Sequence, residues 1–222
     1  MKKILVVAPH PDDEVLGCGA TMKKMAQSGA EVHVLVVTKG SPKMYTHEKV
    51  ENVRAEARRA HAILGVSQTR FLDFHAPELD ITSNSAISRE VASVINELQI
   101  DTLFIPHRGD IHHDHSAVFK ACLVAARPVG NYFVKTILSY ETLSETEWAP
   151  PFADDAFIPT MFINVTETFV HKMEAMECFK SQLKAFPNPR SLHTIESLAR
   201  FRGSTVGVEL AESFMHIRSI LT

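Results

Sequence analysis

Short apolar runs that alternate with amphipathic segments constrain the fold of this chain more than any other feature. Ile4-Leu5-Val6-Val7 opens the series. Its β-branched side chains favour a pleated backbone, so residues 3–8 read as a buried strand. From Glu14 to Ser28 the pattern predicts a helix, with Gly29 at the position just past its end. Glu31 to Thr38 is a second apolar run, and Lys39 to His47, with Gly40 and Pro42, reads as a loop. Val50, Val53, Ala57, Ala60 and Leu64 then recur at spacings of three and four, which predicts an amphipathic helix over 48–64. Thr69–Phe74 reads as a strand, 84–98 as a helix, 101–106 as a strand, 114–126 as a helix and 135–141 as a fifth strand. Strands separated by helices in this way build βαβ units and a mainly parallel sheet covered on both faces.

The remainder is less regular. Residues 142–155 read as a loop, 157–164 as a further strand, 166–183 as a long helix with Thr166 as its cap, and 191–202 as a last helix. No repeat, linker or low-complexity stretch divides the chain, so residues 1–222 are taken as a single domain.

The apolar content of 45% is enough for a continuous core. A net charge of −3, with no more than two adjacent Lys or Arg anywhere, argues against nucleic-acid binding. No apolar run approaches the roughly 20 residues of a membrane span. The first apolar run is also too short for a signal peptide, and the three scattered cysteines suit a reducing compartment. A cytoplasmic protein is therefore expected, and a homo-oligomer is compatible with the sequence.

Two polar clusters stand out because each follows an apolar strand and precedes a helix. The first is His10-Pro11-Asp12-Asp13-Glu14 and the second runs from His107 to His115, ending His112-His113-Asp114-His115. In open α/β sheets, ligands bind at the carboxyl ends of strands. If the two strands are parallel neighbours, both clusters meet on one edge. Imidazole with carboxylate suits a borderline divalent ion such as Zn2+. His10 and Asp13, on one turn, plus one histidine of the second cluster would supply three ligands. Asp12 then lies close enough to take a proton from an attacking water. The plainer alternatives are a helix cap for the first cluster and a solvated loop for the second; spacing alone does not choose among His112, His113 and His115.

Pro9-His10-Pro11-Asp12-Asp13-Glu14, with Leu16-Gly17-Cys18-Gly19 and the later His112-His113-Asp114-His115, resembles the signature of the PIG-L/LmbE-like family of zinc-dependent N-deacetylases. Arg54-Ala55-Glu56, Ser139-Tyr140-Glu141, Phe201-Arg202-Gly203 and Ala211-Glu212-Ser213-Phe214 extend the resemblance more loosely. It implies a Rossmann-like three-layer α/β sandwich that hydrolyses an N-acetylated amino sugar of the N-acetylglucosamine type. It also implies Zn2+, or Fe2+ on the same ligands, held by His10, Asp13 and His115. Asp12 would be the general base, His112 the oxyanion stabiliser or acid, Asp114 the orienter of a histidine, and Arg54 a substrate contact. Where many members carry Pro-Asp-Gly, this chain has His75-Ala76-Pro77, which bears on substrate choice rather than on the ligands.

Two other readings compete. A non-haem Fe(II) enzyme also uses two histidines and a carboxylate. A non-catalytic Rossmann-like protein, binding a metal or a dinucleotide, is the other. For a dinucleotide, Gly17-Cys18-Gly19-Ala20 lacks the full glycine pattern, and the turn places carboxylates where pyrophosphate would sit.

Overall fold

The computed structural model describes residues 1–130 and 132–221. Four strand–helix pairs come first: β1 (Lys3–Ala8) and α1 (Asp13–Gln27), β2 (Glu31–Gly40) and α2 (His47–Leu64), β3 (Gln68–Ala76) and α3 (Asn84–Leu98), β4 (Thr102–Pro106) and α4 (His113–Ala125). β5 (Thr136–Tyr140) follows. A long loop, containing one short 3-10 turn at Ala153–Asp155, then leads to β6 (Met161–Asn164), α5 (Phe169–Glu177), α6 (Leu192–Ser204) and β7 (Ala211–Ser219).

The strands lie in the order β3-β2-β1-β4-β5-β7-β6. β1 to β5 are mutually parallel, and β7 runs antiparallel to both β5 and β6. Side chains alternate across the sheet as the strand period requires. Ile4, Val6 and Ala8 pack under α1, α2, α5 and α6, whereas Leu5 and Val7 pack against α3 and α4. The result is a three-layer α/β sandwich. Burial on both faces explains why β1 and β2 read as unbroken apolar runs instead of alternating ones.

The sheet order reverses between β1 and β4, which pair directly with Ile4 opposite Thr102 and Val6 opposite Phe104. The crossovers leave this pair in opposite directions, so a crevice opens at its carboxyl end. Both polar clusters face that crevice. Behind it, α1 approaches β5 closely: a Cβ on Gly17 would lie 2.3 Å from Cδ2 of the buried Tyr140. The Tyr140 hydroxyl in turn donates to the Val7 carbonyl at 2.8 Å.

The structure departs from the predicted elements at several points, among them the strand expected over 157–164, which is only Met161–Asn164. β2 continues through Lys39 and Gly40, which pair with β3. The helix expected over 166–183 is only Phe169–Glu177. Thr166 bonds the Asn164 side chain instead of capping a helix, and at the other end Ser181 gives its N–H and hydroxyl to Glu56 of α2. β7 was not expected at all. Its first half carries buried Glu212 and Ser213 among apolar neighbours, which breaks the strand pattern.

Candidate metal centre and its pocket

The β1–α1 turn places Asp12 as the cap residue of α1, with φ at +113°. A capping Asp ordinarily folds its carboxylate back onto the helix's free amides. Asp12 makes no such bond, and only its carbonyl serves the helix, accepting from the N–H groups of Val15 and Leu16. Positive φ at a non-glycine residue is strained, so the surroundings must enforce it. They do so through a buried chain: the Asp12 N–H donates to Glu14 Oε2 at 3.1 Å, Glu14 Oε1 lies 2.8 Å from His61 Nε2, and His61 Nδ1 lies 2.8 Å from Thr69 Oγ1. The Asp12 carboxylate is thereby turned to Arg190, whose Nη1 donates to Oδ2 at 2.6 Å.

The β4–α4 turn supplies the other half. His112 caps α4, its Nδ1 accepting from the Asp114 N–H at 3.2 Å, and His115 points inward one turn later. Asp13 Oδ2 lies 3.2 Å from both His10 Nδ1 and His115 Nε2. The opposite ring nitrogens are each fixed by a carboxylate, His10 Nε2 by Asp114 at 3.0 Å and His115 Nδ1 by Asp110 at 2.7 Å. Asp114 is held by the Leu79 N–H and Asp110 by the Thr146 hydroxyl. Metal-ligating histidines characteristically carry such carboxylate partners, which set the tautomer and the ring direction.

A direct test of fit is whether buried polar atoms lack partners. Asp13 Oδ1 and His115 Nε2 are both buried with no hydrogen-bond partner. Buried orphans of this kind are rare and costly, and a cation between them would satisfy both. His10, Asp13 and His115 thus form a group able to hold a metal ion. His10, His112 and Asp114 form a second such group, but there His10 Nε2 and Asp114 already satisfy one another.

Electrostatics follow from burial and crowding. Burial opposes charge on His10, yet its bonds to Asp114 and Asp13 prevail and raise its pKa to about 9. Asp13 loses solvent too, but the two histidines hold its carboxyl well below the usual carboxylate range. Burial lifts Asp12 to about 8 against the pull of Arg190, and lifts Glu145 to about 7. His112 is driven down to about 4 by burial and by His10, so it is a neutral imidazole at pH 7.

His10, Asp12, His112, Glu145 and Arg190 line a cavity of about 720 Å³. Arg54 lines it as well, anchored by Nη2 to the Leu72 carbonyl and to Asp73. All seven residues picked from the sequence therefore lie at this crevice or in its wall. Sequence reasoning missed Arg190, Glu145, Thr146 and the supporting role of His61. Asp110 lay in plain view within the second cluster, whereas Arg190 sits in a Pro-rich bend that gives no periodic signal.

The family model described as GlcNAc-PI de-N-acetylase, PIG-L, matches residues 5–126. The chain is 33% identical over 185 residues to a protein of Escherichia coli (strain K12) named uncharacterized deacetylase YaiS, covering 81% of this chain and 91% of the relative. It is 32% identical over 126 residues to the diacetylchitobiose deacetylase of Thermococcus kodakarensis, covering 52% and 46% of the two chains. GalB of Pseudomonas putida KT2440, a 4-carboxy-2-hydroxymuconate hydratase, superposes with a TM-score of 0.80 at 21% identity over 100% of this chain and 98% of that one. The architecture thus carries more than one chemistry. The family match, which spans both His/Asp turns, and the identity to YaiS over most of both chains establish that this chain belongs to the PIG-L family of de-N-acetylases.

Proposed function

We propose that this chain is a metal-dependent N-deacetylase, a hydrolase that removes the acetyl group from an N-acetylated amino sugar of the N-acetylglucosamine type. The observation that carries the reading is the convergence of His10 Nδ1, the Asp13 carboxylate and His115 Nε2, with Asp13 Oδ1 and His115 Nε2 buried and unpartnered, beside the Asp12 carboxylate on the cavity wall. Relatives named as deacetylases of diacetylchitobiose and of N-acetyl-α-D-glucosaminyl L-malate support the substrate class. Two imidazoles and one carboxylate suit Zn2+, and Fe2+ takes the same donors. Zn2+ in such a site supplies a Lewis acid and a water acidified to a pKa of about 7.

The protein's own groups divide the remaining work. Asp12, which a cation held at the neighbouring Asp13 would keep ionised, accepts the proton of the attacking water at its carboxylate. His112 uses Nδ1 to accept from the Asp114 N–H, which leaves the proton of the neutral ring on Nε2. That N–H donates to the oxygen of the amide carbonyl as it gains charge. A ring this hard to protonate serves better as an oxyanion donor than as an acid. Asp114 and Asp110 hold His10 and His115 in their ligand orientations. The amide C–N bond breaks, water adds across it, and acetate and a free amine leave. Arg54 binds the sugar or its substituent, in a cavity of the size that takes drug-sized ligands. Residues 1–222 act in this reading as one catalytic domain, with no nucleic-acid partner and no membrane span.

The test is amine release from a panel of N-acetylated sugars and their conjugates. The protein is stripped with chelator and then reloaded with Zn2+ or Fe2+. We expect turnover of at least one substrate that is lost on stripping and restored by metal. Release that persists unchanged in the stripped protein refutes the metal role, and no release by any loaded form refutes deacetylation.

A further inference from the structure

Arg190 is a cation in the cavity wall that neither the turn motifs nor the family resemblance assigns, and it bonds directly to the Asp12 carboxylate. Its backbone is pinned where the chain enters α6: its N–H donates to Asn188 Oδ1 at 2.9 Å and its carbonyl accepts from the Lys184 N–H. From there the guanidinium gathers three separate segments. Nε donates to Ser144 Oγ at 2.8 Å, in the loop after β5, and Nη1 donates both to Gln182 Oε1 at 3.3 Å and to Asp12 Oδ2 at 2.6 Å. Each of those contacts is itself anchored. Ser144 gives its N–H to Glu147, and the neighbour of Gln182, Ser181, is clamped by Glu56. Glu145 stands 3.7 Å from Nη2, and Asp13 and Glu147 also act on the group.

The other end of the contact is equally specific. Asp12 is a helix-cap residue whose side chain makes no cap bond, on a backbone held at positive φ. A carboxylate released from capping has a rotamer choice that its own turn does not settle. The Arg190 fork settles it from outside by occupying Oδ2, which leaves Oδ1 as the free oxygen. We infer that Arg190 is a positioning residue for the deacetylation reaction, aiming the Asp12 carboxylate at the attacking water through the fork it forms with Ser144 and Gln182. This rests on Asp12 as the base. Nε and Nη1 are committed to Ser144, Gln182 and Asp12, so these two nitrogens act on the reaction through Asp12. A lysine cannot replace Arg190, since a point charge cannot hold three acceptors in one plane.

The experiment uses Arg190→Ala and Arg190→Lys, each alone and combined with Asp12→Asn, in metal-loaded protein. Misplacing a catalytic group by about 1 Å costs on the order of 10²-fold. We expect Arg190→Ala to lower kcat by that order while KM and the bound-metal stoichiometry stay near wild type, and Arg190→Lys to fall between. In the Asp12→Asn background, Arg190→Ala should cost nothing further, because groups that act as one unit are not additive. Crystal structures of the single variants give a readout independent of any substrate: the Asp12 carboxylate should leave its wild-type position. An unmoved Asp12, a loss in KM with kcat intact, or a full additional loss in the Asp12→Asn background would overturn the inference. Wild-type turnover in the same assay reports separately on deacetylation, so failure of that reading is not mistaken for failure of this one.

Discussion

His115 illustrates how a single residue is readied to hold a metal ion. It is buried, Asp110 fixes its Nδ1, and its Nε2 is left facing Asp13. His113, two positions earlier, is exposed on the outer side of the same turn. Replacing Asp110 by Ala should therefore weaken metal binding by about 10- to 100-fold with the fold retained, as removal of such carboxylate partners does. His113→Ala should leave it unchanged. Competition against a chelator of known affinity measures both, and equal effects would contradict the assignment. The candidate ligands were legible in the sequence because they sit on two short turns, each after an apolar strand. Their supports were less so. His61 reaches Glu14 only through the packing of α2 on α1, and nothing in the order of residues announces that pairing. The choice of His115 over His112 and His113 likewise came from family resemblance, since three histidines within four positions look alike until the helix starts.

Among the elements, α1 carries the heaviest demands. It must present Asp13 at its first turn, pass within contact of Tyr140, and pack under α5. Gly17 makes the second possible. Tyr140 is fully buried and tied by its hydroxyl to β1, so it has little freedom to retreat from a methyl group. Gly17→Ala should destabilise the protein by about 1–3 kcal/mol, the usual cost of overpacking, against the gain a helix normally draws from alanine. Urea denaturation checks this, and a stabilised variant would show that Tyr140 can move. The central elements were legible because their patterns are local: strands buried on both faces and helices with one apolar stripe. β7 was not, because its polar positions are satisfied from far away. Glu212 pairs with Lys172 of α5 at 2.6 Å and accepts from the Ala20 and Thr21 N–H groups of α1, while Ser213 donates to Glu141. α5 ended early for a similar reason, Glu56 having claimed Ser181.

For the whole molecule, the crevice sets how stability depends on pH. Metal-free protein holds a proton on His10 up to about pH 9 and on Asp12 up to about pH 8, against ordinary values of 6.5 and 3.8. The native state then binds more protons than the unfolded chain between each pair of values. Stability must fall as pH rises, through about 6.5 to 9 for His10 and about 4 to 8 for Asp12. Asp13, held low, acts oppositely: its contribution is present above its ordinary value and is lost as the solution becomes more acid. The urea midpoint of stripped protein should accordingly decline from pH 6.5 to 9. Metal affinity should rise over the same window, because the ion must displace those protons. A midpoint that rises across that range would contradict the coupling.

His10 and Asp114 are 104 residues apart in sequence and meet only because β1 docks beside β4. Closing so long a loop is slow and entropically unfavourable. A nascent or misassembled chain offers His10 and Asp13 alone, two donors in place of three. A divalent ion at this site would therefore distinguish finished molecules from unfinished ones, and by mass action it stabilises only the finished ones, by about 2.7 kcal/mol at a hundredfold excess over Kd. In a cell, metal supply would then act as a proofreader of assembly, deciding which copies survive proteolysis long enough to work.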